Sequence, residues 1–210
     1  LLLLLPFLQL LISKKNKKMR HKTDCFLTKG NGECTDRLVI AMQANNTVNN
    51  IHIMENGMYS TDAIRQMAET AEADYVLMYT KPTPLTMGQG MLDRLLLVIR
   101  DSGAAMVYSD YSTMERAELR KQPVIDHQPG AIRTDFDYGS VTIIDSRLLK
   151  EYAAETTANY QYAALYDLRL FLSRKGMVLH LNEYLYTEEE TDLRKSGEKQ
   201  FDYVNPANRE

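Results

Sequence analysis

Residues 51–80 read IHIMENGMYSTDAIRQMAETAEADYVLMYT, and this stretch decides the fold class. The apolar run at 51–54 ends in the turn-forming residues 55–57, which is typical of a strand that leads into a turn. Residues 60–62 are good helix-start residues. Apolar side chains then recur with helical spacing at Ile64, Met67, Ala68 and Ala71. The continuous apolar run at 75–79 is typical of a strand covered on both faces. The stretch therefore predicts a strand, a helix and a second strand.

The same alternation continues on both sides of this stretch. Further strands are predicted at residues 25–27, 104–108, 141–144 and 177–181. Further helices are predicted around residues 38–42 and at 92–99, 148–153 and 160–175. Residues 112–140 are polar and contain two prolines, so the regular alternation loosens there. Strands that alternate with helices imply right-handed crossovers. The sequence therefore predicts an α/β domain with a mostly parallel central sheet flanked by helices.

Composition and charge are those of one ordinary globular domain. The chain has 210 residues, of which 44% are apolar and 25% charged. Its net charge of -3 is uneven, because residues 1–22 contain six lysine and arginine side chains and no acidic one. The remaining residues hold 19 basic against 28 acidic side chains. A nucleic-acid-binding domain would carry a basic face on the fold itself, so we expect no nucleic-acid partner.

The N-terminal segment combines an apolar run at residues 1–12 with the basic cluster that follows it. Twelve residues are too few to span a bilayer, which takes about 20. A secretory signal would carry its charges before the apolar run. Two interpretations remain open, a truncated or mis-started reading and a clipped membrane anchor. In both, residues 1–22 lie outside the fold, a domain covers 23–187, and 188–210 form a charged extension that we expect to be truncated.

Cys25 and Cys34 match no zinc-binding spacing and are too few for a disulfide framework. We interpret them as thiols of a reducing compartment and predict a cytoplasmic protein. The anchor interpretation leaves open a peripheral association with the inner face of the cytoplasmic membrane.

Polar segments follow four of the predicted strands, at residues 30–33, 55–57, 80–83 and 109–111. In open α/β sheets ligands bind in the crevice beyond the carboxyl ends of the strands. We therefore expect the chemistry of this protein at that edge.

The order of these motifs resembles a known family. The motifs stand in the same order as in family 2 glycosyltransferases of the Rossmann-like GT-A fold. They are Glu55-Asn56-Gly57, Ser60-Thr61-Asp62, the strand at 75–79 and Val107-Tyr108-Ser109-Asp110. The later segments 165–170 and 181–186 are similar to the acceptor side of that family. The amino-acid sequence of three segments, 81–85, 135–140 and 195–203, resembles that of the glycosyltransferases of Bacteroidetes. The resemblance covers about residues 24–203.

The resemblance implies that a hexosyl group passes from a nucleotide-sugar donor to a hydroxyl of a glycan or lipid-linked acceptor, with inversion, in bacterial polysaccharide biosynthesis. It places Glu55 in the loop that holds the nucleobase and matches Asp62 to the Asp of the family's Ser-x-Asp element. The alternative for Asp62 is a first-turn residue stabilised by the helix dipole.

The family holds the leaving diphosphate with a divalent metal on an Asp-x-Asp pair, and this sequence lacks both carboxylates. The matching positions are Thr80, Lys81 and Pro82. Lys81 could supply a fixed cation at the diphosphate, or Asp110 could hold Mg²⁺ or Mn²⁺ together with the phosphates and water. The alternative is a solvated lysine in a chain that binds donor poorly.

The acceptor hydroxyl needs a base, and Asp167 matches the catalytic Asp of the family. The alternative for Asp167 is a helix cap. Arg169, Asp135 and Asp137 are predicted to line the acceptor side, with an ordinary polar loop as the alternative for the two aspartates.

Two other functions stay open. A non-catalytic GT-A-like binding or assembly module is credible because the Asp-x-Asp pair is missing. A sugar-nucleotide pyrophosphorylase ranks below it, because residues 30–33 do not match the Gly-rich basic loop of those enzymes.

Overall fold

The computed structural model describes residues 21–189 except residues 116, 131, 134 and 135. Asp135, predicted on the acceptor side, therefore lies outside the described residues, as do residues 1–20 and 190–210. The described elements are, in chain order, β1 (Thr23–Thr28), α1 (Gly32–Gln43), β2 (Val48–Met54), α2 (Thr61–Thr70), β3 (Tyr75–Tyr79), β4 (Leu85–Met87), α3 (Met91–Ser102), β5 (Met106–Ser109), β6 (Tyr111–Glu115), β7 (Glu118–Gln122), β8 (Val141–Asp145), α4 (Ser146–Glu155), α5 (Ala164–Lys175), β9 (Val178–Leu181) and β10 (Tyr186–Glu189).

The central sheet has six strands in the order β2-β1-β3-β8-β5-β9. The pairs β1–β2, β1–β3 and β5–β9 are parallel, whereas β8 runs antiparallel to both β3 and β5. Each of the six strands predicted from the sequence is present, and the predicted mostly parallel α/β fold is confirmed. The reversal of β8 matters for the site, because its first residues lie at the edge where β3 and β5 end.

Helix α2 begins where the sequence predicts it. Ser60 is the N-cap, and its hydroxyl accepts a hydrogen bond from the backbone N–H of Ala63 at 3.2 Å. Asp62 lies in the first turn, which a negative charge stabilises. Helix α5 starts at Ala164, four residues later than the predicted start.

Helices cover both faces of the sheet, and each face has its own apolar core. Helices α2, α4 and α5 pack on one face, where Met67, Tyr152 and Leu168 are buried. Helices α1 and α3 pack on the other face, where Met42, Leu95 and Ile99 are buried. Successive residues of β1 alternate between the two cores, as the pleat of a strand requires. Within the described part of the chain, no helix is long and apolar enough to cross a membrane.

A second, four-stranded sheet was not predicted from the sequence. Its order is β4-β10-β6-β7, with β10 parallel to β6 and antiparallel to β4. These strands are three to five residues long, and β7 is almost wholly exposed, so they carry little hydrophobic periodicity. The predicted domain boundary after residue 187 falls inside β10, and Glu188 beyond it is 1% exposed. Strand β10 therefore extends two residues past that predicted boundary.

Candidate functional site

The carboxyl edge of the central sheet is held together at Thr80 and Ser140. The backbone N–H and the hydroxyl of Thr80 donate to the carbonyl oxygen of Ser140 at 3.0 and 3.3 Å. The hydroxyl of Tyr59, in the loop after β2, donates to the carbonyl oxygen of Thr80 at 3.3 Å. The hydroxyl of Tyr186 accepts from the backbone N–H of Ser140 at 2.9 Å. Four separate segments of the chain therefore meet at this edge.

Glycine is required at position 139 of this edge. Gly139 has a φ of 68°, in the left-handed region, and a Cβ atom there would collide with the hydroxyl of Tyr186. The close approach of β10 to the start of β8 therefore depends on the absence of a side chain.

Lys81 lies at the edge as predicted, but its charge is already paired. Its Nζ atom forms an ion pair with the carboxylate of Glu188, whose side chain is 1% exposed. The second carboxylate oxygen of Glu188 accepts a hydrogen bond from the hydroxyl of Ser140. A buried carboxylate needs such a cation. Lys81 therefore neutralises Glu188 in this structure, and it is not a free cation facing the crevice.

Glu55 and Asp62 line one cleft of about 620 Å³ beside the start of α2. Its other polar lining residues are Asn56, Ser60, Gln66, Gln161 and Tyr162. Glu55 pairs with Lys29 at 2.6 Å, and Asp62, whose side chain is 80% exposed, lies 3.7 Å from Arg65. The cleft offers carboxylates, amides and a phenol to a ligand that carries hydrogen-bond donors.

Asp110 belongs to a buried network with His180. Its Oδ1 atom accepts from the backbone N–H of Val124 at 2.8 Å and lies 2.9 Å from Nε2 of His180. Nδ1 of His180 lies 2.7 Å from Asp126, and the ring stacks on Tyr108. This network joins β5, β9 and the loop after β7.

The residues present do not fit a divalent cation. Thr80, Lys81 and Pro82 occupy the Asp-x-Asp positions, and none of them offers a carboxylate. The Oδ1 atom of Asp110, the predicted metal ligand, is already hydrogen-bonded to His180 and Val124. Among the residues that the structure describes, no group of three or more His, Cys, Asp or Glu side chains could hold a metal ion. We therefore derive no step through a metal.

Asp137 and Arg169 each contact a tyrosine near the start of β8. Asp137 is exposed, and its carboxylate accepts from the hydroxyl of Tyr111 at 3.0 Å and from the backbone N–H of Gly139 at 2.7 Å. The Cζ atom of Arg169 lies 5.0 Å from the centre of the Tyr138 ring, a cation–π distance. Burial lowers the pKa of Arg169, and the nearby Tyr138, Tyr59 and Asp137 act in the opposite direction.

Asp167 faces a different part of the molecule. Its Oδ2 atom accepts a hydrogen bond at 2.9 Å from the hydroxyl of Tyr152, which is 2% exposed and belongs to α4. Burial and this hydrogen bond raise the pKa of Tyr152. Asp167 and Arg169 are two positions apart on α5, which places them on opposite sides of the helix.

The structure thus divides the predicted residues into four places. Thr80, Lys81, Asp137 and Arg169 lie near the start of β8, and Glu55 and Asp62 share the cleft at α2. Asp110 and Asp167 each belong to a separate hydrogen-bond network. Sequence reasoning missed Ser140, Tyr186 and Glu188. Tyr186 and Glu188 are two positions apart in β10 and both are buried, but four strand residues that include two glutamates give no hydrophobic pattern from which their burial could have been predicted.

Comparisons with known proteins agree with the fold. No family model and no curated protein matches the sequence. The crystal structure of S. aureus TarS 1-349 matches with a TM-score of 0.50 and 12% identity, over 79% of this chain and 60% of that one. The same fragment in complex with UDP-GlcNAc gives a TM-score of 0.52 and 11% identity, over 86% and 62%. The chain has a GT-A-like fold.

This chain therefore spans about three fifths of the length of those TarS chains. Mannosyl-3-phosphoglycerate synthase from Rubrobacter xylanophilus matches at a TM-score of 0.46 and 9% identity, over 88% of this chain and 72% of that one. At such identities the likeness concerns the fold alone.

Proposed function

We propose that the chain is a glycosyltransferase domain that binds a nucleoside diphosphate sugar at the carboxyl edge of the central sheet. The observation that carries the proposal is the cleft lined by Glu55 and Asp62, which opens at the edge where a GT-A-like fold takes its ligand. TarS, which shares the fold, has been crystallised with UDP-GlcNAc and with UDP. We therefore propose that a uridine or guanosine diphosphate sugar is the donor, with its nucleoside in this cleft.

The transfer that we propose is a single displacement with inversion. The acceptor hydroxyl loses its proton to a carboxylate as its oxygen forms a bond to the anomeric carbon, and the bond from that carbon to the diphosphate breaks. The geometry favours Asp137 over Asp167 as that carboxylate. Asp137 is exposed at the crevice, whereas Asp167 accepts from Tyr152 on the other side of α5. The sequence resemblance favours Asp167, so both need testing.

The finer parts of the proposal rest on the sequence resemblance. They are a hexosyl donor, a glycan or lipid-linked acceptor, a role in bacterial polysaccharide biosynthesis, and relatives among the Bacteroidetes. The basic cluster within residues 14–22 would favour peripheral association with the inner face of the cytoplasmic membrane, through anionic lipids.

A second candidate is a non-catalytic GT-A-like module. The pairing of Lys81 with Glu188 favours it, because the Asp-x-Asp positions then supply neither a metal ligand nor a free cation. Such a module would bind a nucleotide sugar without transferring the sugar.

Thermal denaturation with a panel of uridine and guanosine diphosphate sugars tests the proposal. A donor at 100 times its Kd should add about 2.7 kcal/mol to the free energy of unfolding. Glu55→Gln should reduce this shift, whereas Glu69→Gln, on the exposed face of α2, should not. Release of nucleoside diphosphate in the presence of acceptor distinguishes the enzyme from the module. If no donor at millimolar concentration moves the Tm, the donor site is wrongly assigned.

A further inference from the structure

Lys81 and Arg169 are cationic side chains that lie near the start of β8, and they differ in whether an anion neutralises them. Lys81 is paired with the buried Glu188. Arg169 forms no hydrogen bond and no ion pair with any residue in the described part of the chain, and its Nε atom is buried without an acceptor. A buried donor without a partner costs free energy and is rare in folded proteins, so it calls for an explanation.

The residues around Arg169 position its guanidinium group but accept no hydrogen bond from its Nε atom. The ring of Tyr138, 5.0 Å away, gives a cation–π contact that positions the group. Asp137 is close enough to favour the charged form, but it is not within ion-pair distance. Both oxygens of Asp137 already accept hydrogen bonds, from Tyr111 and Gly139. The nearest carboxylate is therefore fixed elsewhere, and the donors of Arg169 remain available.

We propose that Arg169 is an anion-binding residue, whose guanidinium takes a phosphate or carboxylate group of the substrate in the crevice beside Tyr138. The inference rests on the proposed function only for the source of that group. The diphosphate of the donor is one source, and an acidic acceptor is the other. An arginine suits both, because its planar fork matches the oxygens of a phosphate or carboxylate in a bidentate arrangement.

This assignment also answers a chemical need of the proposed reaction. The departing diphosphate carries growing negative charge, and the chain offers no metal cluster in its described residues and no free Lys81 to receive it. A fixed guanidinium among aromatic side chains provides such charge without reorganisation. Arg169, which the sequence placed on the acceptor side, has no anionic partner among the described residues and can supply this charge.

Calorimetric titration of the full chain tests the assignment with four probes: UDP, uridine, inorganic pyrophosphate and glucuronate. Arg169→Met removes the charge, Arg169→Lys keeps the charge without the fork, and Arg174→Met removes an exposed arginine from the same helix as the control. If the group is the donor diphosphate, Arg169→Met should weaken UDP and pyrophosphate at least about tenfold and leave uridine unchanged. If it is an acidic acceptor, glucuronate alone should lose affinity. Arg169→Lys should fall between wild type and Arg169→Met.

The outcomes separate this inference from the proposed function. Equal affinity of wild type and Arg169→Met for UDP, pyrophosphate and glucuronate overturns the anion site, even if UDP binds well. Loss of pyrophosphate or glucuronate binding in Arg169→Met supports the anion site, even if wild type binds neither uridine nor UDP and the donor proposal fails. Because the buried Nε donor without an acceptor is removed, the Tm of Arg169→Met without ligand should equal or exceed that of wild type. If Arg169→Met does not fold, unchanged affinities in Arg169→Lys overturn the proposal.

Discussion

Lys81 and Glu188 form an ion pair across 107 residues of sequence, with the side chain of Glu188 buried and that of Lys81 partly exposed. The pair ties the end of β3 to β10 and therefore joins the two sheets. Ser140 adds a hydrogen bond to the same carboxylate from the start of β8. A lysine predicted from the sequence to contact the diphosphate thus has a structural role at the centre of the crevice.

Lys81→Ala should destabilise the protein, because it leaves the buried carboxylate of Glu188 without its cation. Removing one partner of a fully buried pair costs about 3–5 kcal/mol. Because the Lys81 side chain is 35% exposed, we expect a smaller loss here, on the order of 1–3 kcal/mol. Urea denaturation measures it.

The double variant Lys81→Ala, Glu188→Gln is the control for this interpretation. It removes the unpaired charge and should recover most of the lost stability. A Lys81→Ala variant of wild-type stability that no longer binds donor would show instead that the lysine serves the ligand directly.

Asp167→Asn tests the base that the sequence resemblance suggests. If Asp167 removes the acceptor proton, turnover should fall by about 10² to 10⁴ while donor affinity and Tm stay near wild type. The amide oxygen of Asn can still accept from Tyr152, so the local structure should survive. Single-turnover transfer measured beside donor binding separates these effects.

Tyr152→Phe is the matched variant for Asp167. It removes the hydrogen bond to Asp167 and leaves the carboxylate in place. A base at Asp167 predicts a much larger rate loss in Asp167→Asn than in Tyr152→Phe. Near-normal turnover in Asp167→Asn, together with a strong loss in Asp137→Asn, would identify Asp137 as the base.

Donor binding should depend little on divalent cations. The Asp-x-Asp positions hold no carboxylate, and Asp110 is bonded to His180 and Val124. We expect the Kd for UDP to change by less than about threefold between Mn²⁺ and EDTA. A strict Mn²⁺ requirement that disappears in Asp110→Asn would instead support the metal interpretation of Asp110.

Cys25 should be unreactive in the folded protein. Burial, and then the charge of Asp24, raise the pKa of the Cys25 thiol to about 12 from an ordinary value of 9.0. Because only the thiolate reacts, a thiol reagent at pH 8 should modify Cys34, which is partly exposed, and spare Cys25. Mass spectrometry of the labelled protein, with Cys34→Ser as the control, shows which thiol reacts. Labelling of Cys25 at the rate of Cys34 would contradict its burial.

The same pKa fixes the sign of a pH effect on stability. As the pH rises above 9, the unfolded chain can form the Cys25 thiolate and the folded chain cannot. The contribution of this group to the free energy of unfolding is therefore complete below pH 9 and declines between pH 9 and 12. Cys25→Ala should flatten that part of the pH profile. An unchanged slope would assign the decline to other groups.

The central sheet was predictable because each of its strands carries its own local signal. Strand β3 is a continuous apolar run and was predicted at its observed bounds, Tyr75–Tyr79. The second sheet was not predictable in this way, because β4, β6, β7 and β10 are short and partly polar. Strands β6 and β7 form a local hairpin, whereas β10 pairs with β4 and β6, which are distant from it in sequence.

The predicted site residues show the same division. The cap at Ser60 and the position of Asp62 in the first turn depend on local hydrogen bonding. Both could therefore be predicted from the sequence. The partners of Lys81, Asp110 and Asp167 are Glu188, His180 and Tyr152, and only the first pairing resembles an interaction that charge alone would suggest.

The sequence by itself determined the α/β class, the six strands of the main sheet and the edge at which polar residues gather. These features depend on hydrophobic periodicity and on turn-forming residues within about twenty positions of each other. Such local patterns keep their meaning whatever the rest of the chain packs against. Only the tertiary structure decided which charge faces the crevice. Lys81 and Arg169 are both cations beside the same strand end, and their difference arises from burial: β10 brings the carboxylate of Glu188 to Lys81, while Arg169 meets the ring of Tyr138 and no anion within the described residues. Which of the two cations is neutralised depends on long-range packing, so no local sequence pattern could have predicted it.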